Sequence, residues 1–332
     1  MGRWNLSLAI IAWACAGLAQ AGCPNATSLS PCTCDYYGIN CMRAQRAGQL
    51  RLAFESGDAE TRDHRYLWIQ NTPIKSFRGG VLGSFKFENV HIDHNANLSN
   101  FTLDSLSHMN KVVVVLSLHG NALRKIEYDK LRSFTSLESL DLGGNKLKTV
   151  PPNAFHSIRL QRLSLMGNPI REIGAAAFFG LTNLTELILS HTRLMKLGGH
   201  SLSLIRANRN LKIDLSHARI KTIEETAFDA AMPLEVDLSH NNLTGLRRRP
   251  FEGLMTRMVS NVRGRELTPV VKVEGNPLTC EGCSYVWIVH SRMRKRIDRI
   301  FEGFKCPDGL NSTSLTAPKI RCKASWTSGA IG

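Results

Sequence analysis

Cys280-x-x-Cys283, followed by Cys306 and Cys322, supplies the four sulfurs from which a tetrahedral zinc site is built. The same thiols can instead close two disulfides, and the compartment decides between the two. A second group, Cys23, Cys32, Cys34 and Cys41, lies near the other end, with no cysteine between Cys41 and Cys280. Behind Arg3, an apolar run from Leu6 to Leu18 is closed by the small-x-small triplet Ala19-Gln20-Ala21. That pattern predicts a signal peptide over residues 1–22, cut after Ala21 or Gly22, with which Cys15 leaves. The run is too short to span a bilayer, and no later one approaches about 20 residues. The terminal "ASWTSGAIG" lacks the hydrophobic end of a lipid-anchor signal. The expectation is a secreted, extracellular, soluble chain, in which eight thiols form four disulfides, two per cluster, in place of a metal site.

Export makes a second chemistry available. Asn-x-Ser/Thr acceptors stand at Asn25, Asn97, Asn100, Asn183, Asn242 and Asn311, so a glycoprotein is expected. His94, His191, His217 and His240 recur at one repeated position. They read either as a metal-binding or pH-sensing column or as ordinary turn residues of a repeat. No Gly-rich phosphate loop, H-E-x-x-H or nucleophile elbow is present. Carboxylates in rows mimic acid–base pairs without being one, so no catalytic residue, enzyme activity, metal or cofactor is expected.

What must position these residues is legible in "LESLDLGGNKLKTV", Leu137 to Val150. Its apolar spacings of 3, 2, 5 and 3 fit neither a helix nor a lone strand. The pattern L-x-L-x-x-N-x-L-x-x-L recurs nine times, with Thr72, Asn95, Asn121, Asn145, Asn168, Thr192, Ala218, Asn241 and Asn276 at the asparagine position. The intervals are 23, 26, 24, 23, 24, 26, 23 and 35 residues. Such a period describes a solenoid coil: a short strand with leucines inward, a turn, and a return path. The asparagine amide satisfies backbone groups buried at the bend. Thr72 and Thr192 still offer a hydroxyl, whereas Ala218 does not, which predicts a locally looser or hydrated coil. Phe101, Phe155, Phe178, Phe228 and Phe251 fill the core behind the strands. A stack of coils exposes apolar core at both ends, where the cysteine clusters would act as lids.

The chain at this point resembles the secreted leucine-rich repeat proteins with cysteine-rich caps. Cys23-x8-Cys32-x-Cys34-x6-Cys41 is similar to their N-terminal module, and "NPLTCEGCSYVW" through "FKCPDG" to Cys322 to their C-terminal one. The resemblance implies an α/β solenoid, a horseshoe with a parallel concave sheet and disulfide-bonded caps. It also implies Cys23–Cys34, Cys32–Cys41, Cys280–Cys306 and Cys283–Cys322. The implied organisation is signal peptide 1–22, cap 23–62, repeats 63–275, cap 276–322 and tail 323–332. Many relatives have Cys-x-Cys where this chain has Cys280-Glu-Gly-Cys283. "SPCTCDYYGINC", the irregular second unit and "CPDG" resemble an arthropod group that includes the non-catalytic repeat subunit of Oplophorus shrimp luciferase.

A solenoid binds on its concave strands. There the sequence places Trp68, Gln70, His91, Asp93, His119, Asp141, Met166, Ile188, Ser190, Asp214, Ser216, Asp237, Ser239, Lys272 and Glu274. The functional reading is a surface for an extracellular protein ligand with basic or amphipathic patches; the other is merely soluble strand-face residues. The formal charge of +15 points to acidic partners. From residue 245 to 305 there are 13 basic and 6 acidic residues. Arg247, Arg248, Arg249, Arg257, Arg263, Arg265 and Lys272 lie in the last long unit. Arg292, Arg294, Lys295, Arg296 and Arg299 lie on an expected cap helix whose stripe of Val286, Val289, Met293, Ile297 and Ile300 faces the solenoid. Guanidinium groups there suit the sulfates and carboxylates of a glycosaminoglycan or other polyanion; a solvated helix face is the alternative. Nucleic acid is a poor partner for an exported chain. The readings that remain are a ligand-binding protein, an accessory subunit of a secreted enzyme complex, and an immune pattern-recognition protein.

Overall fold

The repeat pattern sets two leucine-type residues per coil facing inward, and stacking the coils buries both rows. Leu67, Val90, Leu116, Leu140, Leu163, Leu187, Ile213, Val236 and Val271 align in register, each no more than 1% exposed. The next inward row runs from Ile69 to Val273 and is equally buried. Each such side chain contributes roughly 2 kcal/mol by leaving water, so the coils hold each other as neighbours.

The computed structural model describes residues 22–55, 62–205, 208–290 and 294–322, the side chains of 294–296 excepted. Residues 1–21 of the expected signal peptide, the expected tail 323–332, and Arg292 and Met293 of the expected cap helix lie outside the described residues. One sheet of 12 strands follows chain order. Its strands are β1 (Thr33–Cys34), β2 (Gly38–Asn40), β3 (Asp63–Trp68), β4 (Lys86–His91), β5 (Val115–Ser117) and β6 (Ser139–Asp141). After these come β7 (Arg162–Ser164), β8 (Glu186–Ile188), β9 (Lys212–Asp214), β10 (Glu235–Asp237), β11 (Val270–Lys272) and β12 (Phe301–Glu302). Only β1 and β2 pair antiparallel; every later neighbour is parallel. The nine repeat strands are β3 to β11, which makes eight coils between them.

The return paths are mostly turns, not helices. One 3₁₀ segment, Leu103–Met109, and two-residue strand pairs such as Thr149–Val150 with Glu172–Ile173 line them. A four-residue helical turn, Tyr128–Leu131, lies on one of them, and the surplus of the 35-residue interval forms a full helix, α1 (Arg248–Asn261). Pro250 sits in its first turn, where a missing N–H costs nothing, and Phe251, Leu254, Met255 and Met258 are buried. Asn261 then ties the helix to two earlier coils through Arg209 O at 2.9 Å and Met232 O at 2.8 Å.

Buried asparagines bind coil to coil. Asn145 Nδ2 donates to Leu118 O of the preceding coil at 2.8 Å and to Leu142 O of its own at 3.0 Å, while Oδ1 accepts from Leu123 N at 3.0 Å. Asn95, Asn121, Asn168 and Asn241 repeat this scheme in outline. At Ala218, which has no side-chain amide of its own, the asparagine of the following coil still makes its usual bonds. Ala218 is fully buried, and Asn241 Oδ1 of the following coil accepts from both Ala218 N at 3.2 Å and Ile220 N at 2.8 Å.

Four disulfides close the ends: Cys23–Cys34, Cys32–Cys41, Cys280–Cys306 and Cys283–Cys322. At the front, a helix over Ala47–Glu55 covers the first coil with Leu50, Ala53 and Phe54. At the back, the expected single cap helix is α2 (Val286–His290) and α3 (Arg294–Ile300). Trp287 and Ile288 are buried there with Ile297 and Ile300, whereas Val286 and Val289 are partly covered. Trp287 Nε1 donates to Leu246 O at 2.7 Å, pinning the cap to the last regular coil. Four disulfides and caps of this kind make the chain an extracellular protein.

Candidate functional site

Three rows of side chains stand on the outer face of the sheet, because alternate strand residues point away from the core. The central row, read by register, is Asn40, Trp68, His91, Ser117, Asp141, Ser164, Ile188, Asp214, Asp237, Lys272 and Glu302. Two residues earlier on each strand run Tyr66, Asn89, Val115, Ser139, Arg162, Glu186, Lys212, Glu235 and Val270. Two residues later come Gln70, Asp93, His119, Gly143, Met166, Ser190, Ser216, Ser239 and Glu274. The candidate residues therefore divide between two rows: His119 and Met166 belong to the later one, with Asp93. The earlier row precedes the first leucine of each repeat and was missed; its alternating Arg162, Glu186, Lys212 and Glu235 was the available signal.

Along the sheet the face changes character. At the N-terminal end Tyr66 and Trp68 stack with ring centres 5.2 Å apart, and Tyr66 lies 6.4 Å from His91. Asp93 is 6% exposed and accepts from His119 N at 3.1 Å and Gln70 Nε2 at 3.2 Å, with His91 Nδ1 at 3.5 Å. Burial pushes its carboxyl up, but hydrogen bonds from His91, Ser117 and Gln70 outweigh that and hold it below its ordinary 3.8. His119 Nδ1 in turn lies 3.4 Å from Asp141. The middle is apolar, with Met166 37% exposed beside half-buried Ile188.

Toward the C-terminal end, Asp214 Oδ1 accepts from Ser216 N at 2.9 Å and Oγ at 2.7 Å. Asp237 Oδ1 does the same with Ser239 at 2.9 and 2.6 Å. Both carboxylates are thus fixed by their own coil. Lys272 Nζ lies 2.5 Å from Glu235 and 3.8 Å from Asp237. Its ammonium is raised by the Glu235 hydrogen bond. Arg162 pairs with Glu186, and Lys212 with Glu235 at 3.6 Å. Carboxylates outnumber Arg162, Lys212 and Lys272 in these rows, so they decide the sign of the face.

The histidine column has a conformational explanation. His94, His191, His217 and His240 take φ of +54° to +56°, in the position where other coils use Gly120, Gly144, Gly167 and Gly275 at +62° to +69°. Rings of His191, His217 and His240 stack nearly parallel at 4.7 and 4.4 Å. Stacked rings do not converge on a point, and among the described residues no three His, Cys, Asp or Glu side chains could hold a metal ion.

Four arginines of the last unit are engaged within the fold. Arg248 pairs with Glu252 and Arg249 with Glu225, each at 2.7 Å. Arg257 donates to Ala231 O and Phe228 O, and Arg265 to Arg209 O. The expected polyanion residues Arg294, Lys295, Arg296 and Arg299 all fall on α3. Of the sequon asparagines, Asn25, Asn97, Asn242 and Asn311 are exposed, while Asn100 and Asn183 are half-buried.

The leucine rich repeat family model matches residues 111–170 and 158–214. Leucine-rich repeats and immunoglobulin-like domains protein 1 of Homo sapiens is 30% identical over 223 residues, 66% of this chain and 19% of that protein. Tsukushi of Gallus gallus is 32% identical over 145 residues, 42% of this chain and 38% of that protein. The chain thus spans a minor part of the length of these curated relatives. Among solved structures, a chain from the octameric complex of Latrophilin 3, Unc5D and FLRT2, whose leucine-rich repeat component is FLRT2, superposes with a TM-score of 0.56. That match is 20% identical and covers 90% of this chain and 100% of the other, a likeness of fold.

Proposed function

As a leucine-rich repeat protein with disulfide-bonded caps, this chain, we propose, is a non-enzymatic extracellular binding protein that takes a protein ligand on its concave sheet. The observation that supports this most is the row Asp141, Asp214 and Asp237, in register on strands flanking the apolar pair Met166 and Ile188. A ligand that fits has an apolar centre bordered by basic residues, the complement that speeds encounter and selects the partner. Trp68, His91, Asp93, His119 and Lys272 extend the contact, with Tyr66 as an aromatic anchor of the kind that dominates binding energy. The FLRT2 repeat structure is itself part of a multi-protein complex, which is in keeping with a protein ligand. Cations of the cap, Arg292, Arg294, Lys295, Arg296 and Arg299, form a second, polyanion-contacting element of the proposal. The six sequons carry glycans in the same reading, and residues 1–22 are its leader.

The test is affinity capture from native extracellular fluid with the wild-type chain and with Asp141→Lys/Asp214→Lys/Asp237→Lys. A partner bound by the first and at least tenfold depleted with the second supports the concave reading. Equal capture by both removes it. A stoichiometric enzyme among the captured chains assigns the accessory-subunit role suggested by the arthropod resemblance, and microbial glycan binding assigns an immune one.

A further inference from the structure

Just past each buried asparagine the chain leaves the concave face and crosses one lateral flank. From the third to the seventh coil this flank comprises residues 122–125, 146–149, 169–172, 193–196 and 219–222. Those stretches hold nine cations against Glu172 alone. No sequence run reveals them, because successive members are about two dozen residues apart.

Their alignment follows from backbone pairing. Arg171 N donates to Lys148 O at 2.9 Å, so these two residues occupy adjacent coils at one level. Lys148, Arg171 and Lys221 each immediately precede a short flank strand, Thr149–Val150, Glu172–Ile173 and Thr222–Ile223. Arg124 stands at the same repeat position, three residues after Asn121. Arg193 and Arg219 occupy a second level, each one residue past the asparagine position. With neighbouring strands about 4.8 Å apart, the band is roughly 19 Å long.

All six of these side chains are exposed, and among the described residues none takes part in an ion pair or side-chain hydrogen bond. The contrast with the concave face of the same coils is direct. There, Arg162 pairs with Glu186 and Lys212 with Glu235. Like charges facing across paired strands are destabilising, so the flank carries a repulsion that the neighbouring face avoids. Coils two and eight lack cations on this flank and carry the sequons Asn97, Asn100 and Asn242 in their place, one set at each end of the band.

We propose that this lateral band, from Arg124 to Lys221, binds a linear sulfated polysaccharide, independently of the concave face. A row one or two cations wide matches a chain with sulfates along its length. It does not match a lipid surface, since Met195 is the one exposed large apolar residue within the band's described residues.

The experiment titrates heparin octasaccharide against the full-length glycosylated chain at several salt concentrations. The flank variant is Arg124→Ser/Lys148→Ser/Arg171→Ser/Lys221→Ser. A charge-matched control, Arg43→Ser/Arg46→Ser/Lys111→Ser/Arg132→Ser, removes four exposed cations elsewhere. Circular dichroism checks that both fold. The flank variant should lose at least about tenfold in affinity at physiological salt, and its log–log salt slope should fall by about 3, from about 0.7 per lost contact. The control should change by less than about twofold. Equal losses in both variants, or no loss in the flank variant, overturn the site. So does a loss confined to Arg292→Ser/Arg296→Ser/Arg299→Ser, which moves the polyanion to the cap. A flank-specific loss on phosphatidylserine vesicles but not on heparin overturns the ligand class. None of these outcomes depends on the concave ligand.

Discussion

Replacing Asn145 by alanine probes what joins one coil to the next. The side chain is 2% exposed and makes bonds in both directions along the stack. Without it, Leu123 N loses its acceptor at 3.0 Å and is left buried without a described partner. Leu118 O and Leu142 O each lose one donor but keep another, from Asn121 Nδ2 and Asn168 Nδ2, both at 2.8 Å. An orphaned buried N–H costs about 1–3 kcal/mol and each lost but replaceable bond about 1 or less. The sum is about 3 kcal/mol. Thr192→Ala removes one bond, Thr192 Oγ1 to Leu189 O at 2.9 Å, and should cost about 1 kcal/mol. Equilibrium urea unfolding with disulfides intact measures both. If Asn145→Ala costs no more than Thr192→Ala, the asparagine does not carry the inter-coil bonding argued for it.

Cys283→Ser/Cys322→Ser opens a link of sequence separation 39 and should lower stability by about 4 kcal/mol, against about 2.7 for Cys32→Ser/Cys41→Ser with separation 9, as read by thermal or urea unfolding under non-reducing conditions. Gly275→Ala places a Cβ 2.4 Å from His240 Nδ1 at φ +69°, so it should destabilise, and His240→Ala in the same chain should recover the steric part in a double-mutant cycle. Asp93 has a depressed carboxyl, so its stabilising contribution is complete above pH 3.8 and is lost as pH falls through the lower folded value. Asp93→Asn should accordingly flatten the acid limb of a stability–pH curve; an unchanged limb contradicts the hydrogen-bonding account.

The coil was legible because each repeat buries the same positions, so nine copies state one pattern. The helix Arg248–Asn261 was visible only as surplus length. Only the folded core shows Phe251 and Leu254 buried on one face of it. On the concave face Ser117 and Ser164 were not among the expected residues, although they stand in register with His91 and Asp141. Charge was the least legible feature. Contiguous runs such as Arg247 to Arg249 draw attention, yet Arg248 and Arg249 are paired within the fold. The flank cations are dispersed in sequence and gathered only by winding.

Site-specific photo-crosslinking addresses the concave face most directly. A photoreactive phenylalanine analogue is placed at Ile188, on the sheet beside Met166, or at Ile158, which is 74% exposed outside it. In the presence of the captured partner, a covalent adduct at position 188 and none at 158 is the predicted result. An adduct at 158 with none at 188 would place the ligand elsewhere and contradict the account.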